Sequence, residues 1–352
     1  MSTRRLSITT IATDNPMGAQ AYQRQIMNRA AHALAEVEER EWSVREVVAR
    51  SMRSQLPGDR RLPLARLAQA SPSVRRAVGK MLFAGDDVTH RMALELPPGP
   101  RDVVTLHDVV AWRFPDESAP VAAAAEELKR AAAVICVSEF SAQEAIDLLG
   151  IRNPIVVHNG VDPRYFDAVP LDRAERKRLG LEEGFVLHLG GAAQRKNLDA
   201  LAAAWPTVRR ERPHLNLALA GPPHPRRTAL FQGLPGVRML GRLSDDVMPS
   251  LVASASAVVV PSLYEGFGLP VLEAMAANVP VVVANTSSLP EVAGGHGILV
   301  TPDAVAIAGG LIDATADSGN GVDMIDRARE HAAQFTWERS AAGHAQVWTS
   351  FA

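Results

Sequence analysis

The sequence predicts an α/β protein built from two doubly wound domains that face a cleft. Three observations predict it. Short apolar runs suited to buried parallel strands alternate with helical patterns through both halves of the chain. The length, 352 residues, accommodates two domains of ordinary size. One stretch, AVVVPSLYEGFGLPVLEAMAANVPVVVA at 257–284, shows a complete strand–loop–helix–strand unit.

Composition sets outer limits. Hydrophobic residues are 47% and charged residues 22%, as in a globular protein with substantial cores. The net charge of −2 gives no global field for nucleic acid. Cys136, the single cysteine, excludes an intramolecular disulfide and sits in an apolar run that predicts a buried thiol. The polar start and the lack of a spanning apolar run predict a cytoplasmic location.

In chain order, 6–12 reads as the first strand, followed by a turn at Asp14, Asn15, Pro16 and Gly18. Tyr22, Ile26 and Ala30 then recur at helical spacing. Residues 101–106 form a strand that ends at His107-Asp108, 119–132 an Ala/Glu-rich helix, and 133–137 a strand. Ser138 is placed to cap the following helix, and 155–157 is another strand. The charged, non-periodic stretch 168–182 reads as a linker between a first domain, 1–167, and a second, 183–335; 336–352 is a terminal helix.

The second domain opens with a strand at 185–189 and the loop GGAAQRKN. Asn197 is placed to cap a helix carrying Leu198, Leu201, Trp205 and Val208. Arg195 and Lys196 therefore precede a helix N-terminus, where cations and backbone donors can share a diphosphate. Strands follow at 215–220 and 237–240, and Ser244 is expected to cap the next helix.

In the central stretch, Pro261 and Ser262 end a strand, and Gly266 and Gly268 permit close backbone approach to a ligand. Pro270 suits a helix start, and Glu273 is expected in the first helical turn. Glu265 and Glu273 flank the loop with seven residues between them. Carboxylates repel phosphate, so each is better suited to accept from hydroxyl groups. The ligand implied carries phosphate and polyhydroxy parts together.

The wording PSLYEGFGLPVLEAMA resembles the Glu-x7-Glu signature of retaining glycosyltransferase family 4, whose fold is the two-domain GT-B arrangement of Rossmann-like halves. VVTLHDVVAWRFP, VVHNGVDPRYF and GxxxxRKN resemble further segments of that family. The resemblance implies that Glu273 binds the nucleotide ribose and that Glu265 faces the donor sugar. Gly266, Phe267, Gly268 and Leu269 would hold sugar hydroxyls and phosphate through their backbone. Arg195 and Lys196, beside Gly190, would neutralise the diphosphate; Gly191 stands where many relatives have arginine. Leu243 would contact the base, His107 would sit near donor sugar and acceptor, and the loop at Gly18 would face the cleft. The terminal helix would cross back to the first domain.

The expected activity is retaining transfer of a hexose from a nucleotide diphosphate sugar to a hydroxyl of a glycan, lipid-linked or small-molecule acceptor. No metal or other cofactor is required by this arrangement. The QRKN form resembles mannosyl- and rhamnosyltransferases, which points to GDP-mannose ahead of UDP-sugars. A phosphorylase, an epimerase or a non-catalytic sugar-nucleotide-binding subunit are the alternatives. Finally, 48–83 holds eight basic residues against Asp59 alone, a local charge of +7 interleaved with Leu, Met and Phe. That pattern fits two readings, peripheral contact with anionic lipid or a solvated helical face that pairs with acidic residues elsewhere.

Overall fold

The computed structural model describes residues 3–13, 18–115, 117–181, 184–316 and 322–352. The expected turn at Asp14, Asn15 and Pro16 and the junction expected at 182–183 lie outside the described residues. Two compact units emerge: Met1–Gly160 joined by Trp337–Ala352, and Val161–Thr336. Residues 161–181, read as a domain end and linker, thus belong with the second unit. Tyr165 and Leu171 are buried there, and Asp172 starts the helix Arg173–Arg178 with a capping box. The Leu171 N–H also donates to Ser254 Oγ at 2.7 Å. A charged segment can be anchored by a few such groups without any periodicity to announce it.

The first unit carries strands β1 (Arg4–Ile11), β2 (Trp42–Ser51), β3 (Arg60–Leu62), β4 (Val88–Arg91), β5 (Asp102–Leu106), β6 (Ala133–Cys136) and β7 (Ile155–Val156). Among the described residues they pair in parallel in the order β3-β2-β1-β4-β5-β6-β7. The helix Gly18–Val37 buries Tyr22, Ile26, Ala30 and Leu34. The terminal helix Trp337–Phe351 joins the same core through Ala341, Ala345 and Trp348. The helix expected over 119–132 is confined to Ala124–Arg130.

The second unit carries β8 (Phe185–Leu189), β9 (Asn216–Ala220), β10 (Val237–Gly241), β11 (Ala257–Val260), β12 (Val281–Ala284) and β13 (Ile298–Val300). They are parallel, in the order β10-β9-β8-β11-β12-β13. The order reverses between β8 and β11, so the loops leaving those two strands part to opposite faces and open a crevice at the strand ends. Leu198, Leu201, Trp205 and Val208 are all fully buried, as their spacing predicts.

Cys136 is buried, and that burial pushes its thiol up to about 12, which leaves it protonated and unreactive. Among the described residues no helix is long and apolar enough to cross a membrane. The basic stretch 48–83 is not one amphipathic surface. It includes the end of β2, β3, and the helices Leu64–Gln69 and Pro72–Leu82. Arg75 is fully buried: its guanidinium holds Glu127 at 2.6 and 3.0 Å and donates to the carbonyls of Leu67, Leu94, Glu95 and Leu96. Arg91 completes this internal network by pairing with Asp102 at 2.7 Å and Glu127 at 2.9 Å. Arg53, Arg60, Arg61, Arg66, Arg76 and Lys80 remain exposed.

Candidate functional site

The residues expected at the phosphate end converge at the β8–β11 switch point. Lys196, in the loop after β8, places Nζ 2.6 Å from Glu265 Oε1, in the loop after β11. Arg195 Nη1 lies 3.5 Å from Glu265 Oε2 and donates to the Tyr264 carbonyl at 3.2 Å. Ser262 Oγ adds a third donor to the carboxylate, 2.7 Å from Oε1. Burial alone would push this carboxyl up. Lys196 and Arg195 outweigh it, and Glu265 is held below its ordinary range.

The two loops are tied by Asn197. It occupies the expected cap position of the helix Leu198–Glu211, but in a left-handed conformation with φ of 55°. Its side chain does not cap. Nδ2 instead donates to the carbonyls of Pro261 at 2.9 Å and Pro302 at 2.8 Å. Cross-strand tethering, which sequence spacing does not reveal, takes the side chain away from the helix.

Below the glycine-rich loop lies a hydroxyl cluster, Thr286-Ser287-Ser288. Thr286 donates to the Ser262 carbonyl, and Ser288 to the carbonyls of Glu265 and Phe267. Ser287 Oγ accepts from the Glu265 N–H at 3.0 Å. These contacts fix the loop's carbonyls on its inner side. Gly268 then enters the helix Leu269–Ala276 with φ of 110°, where a Cβ would lie 2.7 Å from Leu289 Cδ2. Phe267 is buried against Phe335. The sequence reading missed the hydroxyl cluster, although a TSS run between an apolar strand and a helix is its visible sign.

Glu273 lies in the second turn of that helix, not the first, because the helix begins at Leu269. The dipole therefore does not account for it. Burial first, then the charge of Asp162, raises its carboxyl to about 7; a hydrogen bond from Tyr165 opposes the rise, and Asp245 adds to it. The neighbourhood of Asp245 links Glu273 to the loop after β10, where Leu243 is half-buried. Ser244 in that loop does not cap a helix: Val247 precedes Met248–Ala253, and Ser244 forms a turn with it. Tyr165 was missed because it lies in the segment read as the end of the first domain.

Gly190 has φ of 146°, a conformation that favours glycine. His188, two residues earlier on β8, is lowered to about 3 by burial, then by the charges of Arg227 and Lys196. Both it and Arg227 were absent from the sequence reading.

In the first unit, His107 ends β5. Its Nε2 is buried without a hydrogen-bond partner among the described residues, and its ring meets that of Tyr22 edge-on at 4.6 Å. Burial lowers its pKa, and Asp108 partly offsets this. Behind it runs a buried hydrogen-bond chain whose direction is fixed by its ends. Trp348 Nε1 can only donate, so His90 Nδ1 accepts, and His90 Nε2 donates to Thr105 Oγ1 at 2.8 Å. The Ser340 carbonyl can only accept, so His344 Nδ1 donates to it and Nε2 accepts from Tyr22 Oη at 2.6 Å. Thr105 must then donate to Tyr22. Both histidines are neutral: burial lowers His344 to about 4 and His90 well below its ordinary value. The chain anchors the terminal helix and the Tyr22 ring that backs His107. Gly18 starts the helix Gly18–Val37 in an exposed position, with open space where a Cβ would be. No group of His, Cys, Asp and Glu able to hold a metal occurs among the described residues.

Comparison with known proteins places these features in a wider set. The sequence model described as "Glycosyl transferases group 1" matches residues 183–317, and "Glycosyltransferase Family 4" matches 38–165. The O-antigen chain mannosyltransferase B of Escherichia coli is 32% identical over 257 residues, covering 68% of this chain and 67% of that protein. The serotype-specific mannosyltransferase WbdA of Escherichia coli is 31% identical over 230 residues, which cover 61% of this chain but only 28% of WbdA. Among solved structures, sucrose-phosphate synthase from Thermosynechococcus elongatus superposes with a TM-score of 0.77 at 22% identity, over 99% of this chain and 98% of that one. Anabaena Alr3699/HepE, in complex with UDP and glucose, gives 0.74 at 20% identity, over 98% and 99%. Those two likenesses establish the GT-B fold.

Proposed function

The chain belongs to the family 4, group 1 glycosyltransferases, and on that premise we propose that it transfers mannose from GDP-mannose, with retention, to a hydroxyl of a glycan or lipid-linked acceptor. The observation that carries the reading is the meeting of Arg195, Lys196 and Glu265 at the β8–β11 switch point. Cations at the strand ends, beside a helix entered through Gly268, suit a diphosphate. As the sugar–phosphate bond breaks, negative charge grows on the diphosphate, and Arg195 and Lys196 stabilise it. No metal is needed for that role.

Glu265 already accepts from Lys196, Arg195 and Ser262. A carboxylate so engaged is a weak nucleophile. This favours a sugar positioned by Glu265 and attacked on the face the diphosphate leaves. Glu273 accepts from the ribose hydroxyls, Leu243 packs on the base, and the backbone of Gly266, Phe267, Gly268 and Leu269 meets sugar and phosphate. His107 offers its unpartnered Nε2 to the acceptor hydroxyl, and Gly18 leaves room for a ligand beside its helix. Mannose is favoured because mannosyltransferases are among the relatives. UDP-sugars come second, supported by the UDP bound to HepE.

A thermal-shift panel of GDP, UDP, dTDP and ADP tests the reading. GDP is expected to raise Tm most, since a ligand that binds only the folded state stabilises it by mass action. No shift with any of the four would overturn the reading, and a dominant UDP shift would move it to UDP-sugars.

A further inference from the structure

Among the described residues three arginines are buried: Arg75, Arg91 and Arg227. The first two are matched by Asp102 and Glu127. Arg227 is 3% exposed and, among the described residues, has no carboxylate within ion-pair distance. Its Nη2 donates to the Gly190 carbonyl, Nη1 lies 3.4 Å from the Pro222 carbonyl, and Nε is buried without a partner among the described residues. It also stands in the first turn of the helix Pro225–Phe231, the end at which a cation is least favourable. Burial without a counterion is a cost that neither packing nor the helix offsets.

The bond to Gly190 indicates what the charge serves. In a trans peptide the carbonyl and the following N–H point in opposite directions. With the Gly190 oxygen turned toward Arg227, the Gly191 N–H faces away from it. That N–H has no partner among the described residues, and a Cβ on Gly191 would meet open space. The arrangement is possible because Gly221 lacks a side chain; a Cβ there would collide with the Gly190 oxygen. Gly191 offers no cation of its own, and the missing charge comes from beneath the loop.

We propose that Arg227 is a positioning residue for the donor diphosphate: it turns the Gly190–Gly191 peptide so that its N–H meets phosphate, and its unmatched charge is neutralised when the anion binds. This deepens the functional reading above and rests on it. The test uses Arg227→Gln, which can still donate to the Gly190 carbonyl but carries no charge, beside Arg227→Met, which does neither. GDP and GMP affinities are measured by calorimetry, with UDP and UMP in parallel, along with Tm without ligand.

Both variants are expected to weaken diphosphate binding tenfold or more while monophosphate binding changes much less. Ligand-free Tm should stay level or rise in Arg227→Gln, because an unmatched buried charge is gone. A purely structural arginine predicts the opposite: a lower Tm in both variants and an unchanged diphosphate-to-monophosphate ratio in Arg227→Gln. If wild-type protein binds GDP or UDP and the ratio is unchanged in Arg227→Gln, the inference falls and the functional reading stands. If wild-type protein binds none of the nucleotides, the functional reading falls and takes this inference with it.

Discussion

Glu273 sits among Asp162, Asp245 and Tyr165, and its raised carboxyl makes both stability and binding depend on pH near neutrality. A folded-state value above the ordinary one means that the protonated form is favoured in the fold. The associated stability is full below the ordinary value of 4.5 and is lost as pH rises through about 7. Glu273→Gln should therefore melt higher than wild type at pH 8 and close to it at pH 5. A carboxylate that accepts from ribose hydroxyls works best ionised, so wild-type GDP affinity should fall as pH drops from 8 to 6. The Gln variant should bind more weakly and without that slope. Melting curves and calorimetry at the two pH values check both statements; parallel pH profiles in the two proteins would remove Glu273 from the ribose.

The helix Pro72–Leu82 shows how far an element can differ from its composition. Its arginines look alike in sequence, yet Arg75 turns inward to Glu127 while Arg76 and Lys80 stay in water. Val74 and Met81, seven residues apart and so on one face, are 51% and 73% exposed. An apolar stripe flanked by cations suits an anionic lipid surface, each basic residue adding up to ~1 kcal/mol. We propose peripheral membrane contact here, made also by Arg60 and Arg61 of β3. Vesicles with anionic lipid should bind the protein at low salt and release it at high salt, while neutral vesicles bind poorly. Arg60, Arg61, Arg76 and Lys80 changed together to Glu should abolish binding and leave nucleotide affinity intact. Arg75 is excluded from that set because breaking its buried pairing would cost about 3–5 kcal/mol. Wild-type protein that ignores anionic vesicles at low salt would leave a small soluble acceptor as the better proposal.

Across the whole molecule, the parts legible in sequence were those encoded locally. Apolar runs specified most of the strands, and the loop wording around Glu265 specified the unit that carries it; β2, β3 and β4, whose sequences WSVREVVARS, RRL and VTHR mix polar and charged residues with apolar ones, were not read as strands. What escaped were groups set by distant pairing. Asn197 looked like a cap until Pro261 and Pro302 claimed it. Tyr165 was hidden in a stretch with no periodicity, and nothing in the local sequence singled out Arg227. The helix after the glycine-rich loop starts at Leu269, one residue before Pro270, and that is enough to carry Glu273 past the first turn.

The central claim is that an anchored Glu265 positions the sugar while Arg195 and Lys196 receive the departing diphosphate, so that attack comes from the side of departure. The most direct measurement is the anomeric configuration of the new linkage, read by NMR from the C1–H1 coupling of product formed from an α-linked GDP-mannose. An α linkage is the result this account predicts. A β linkage would mean attack from the opposite face and would contradict it.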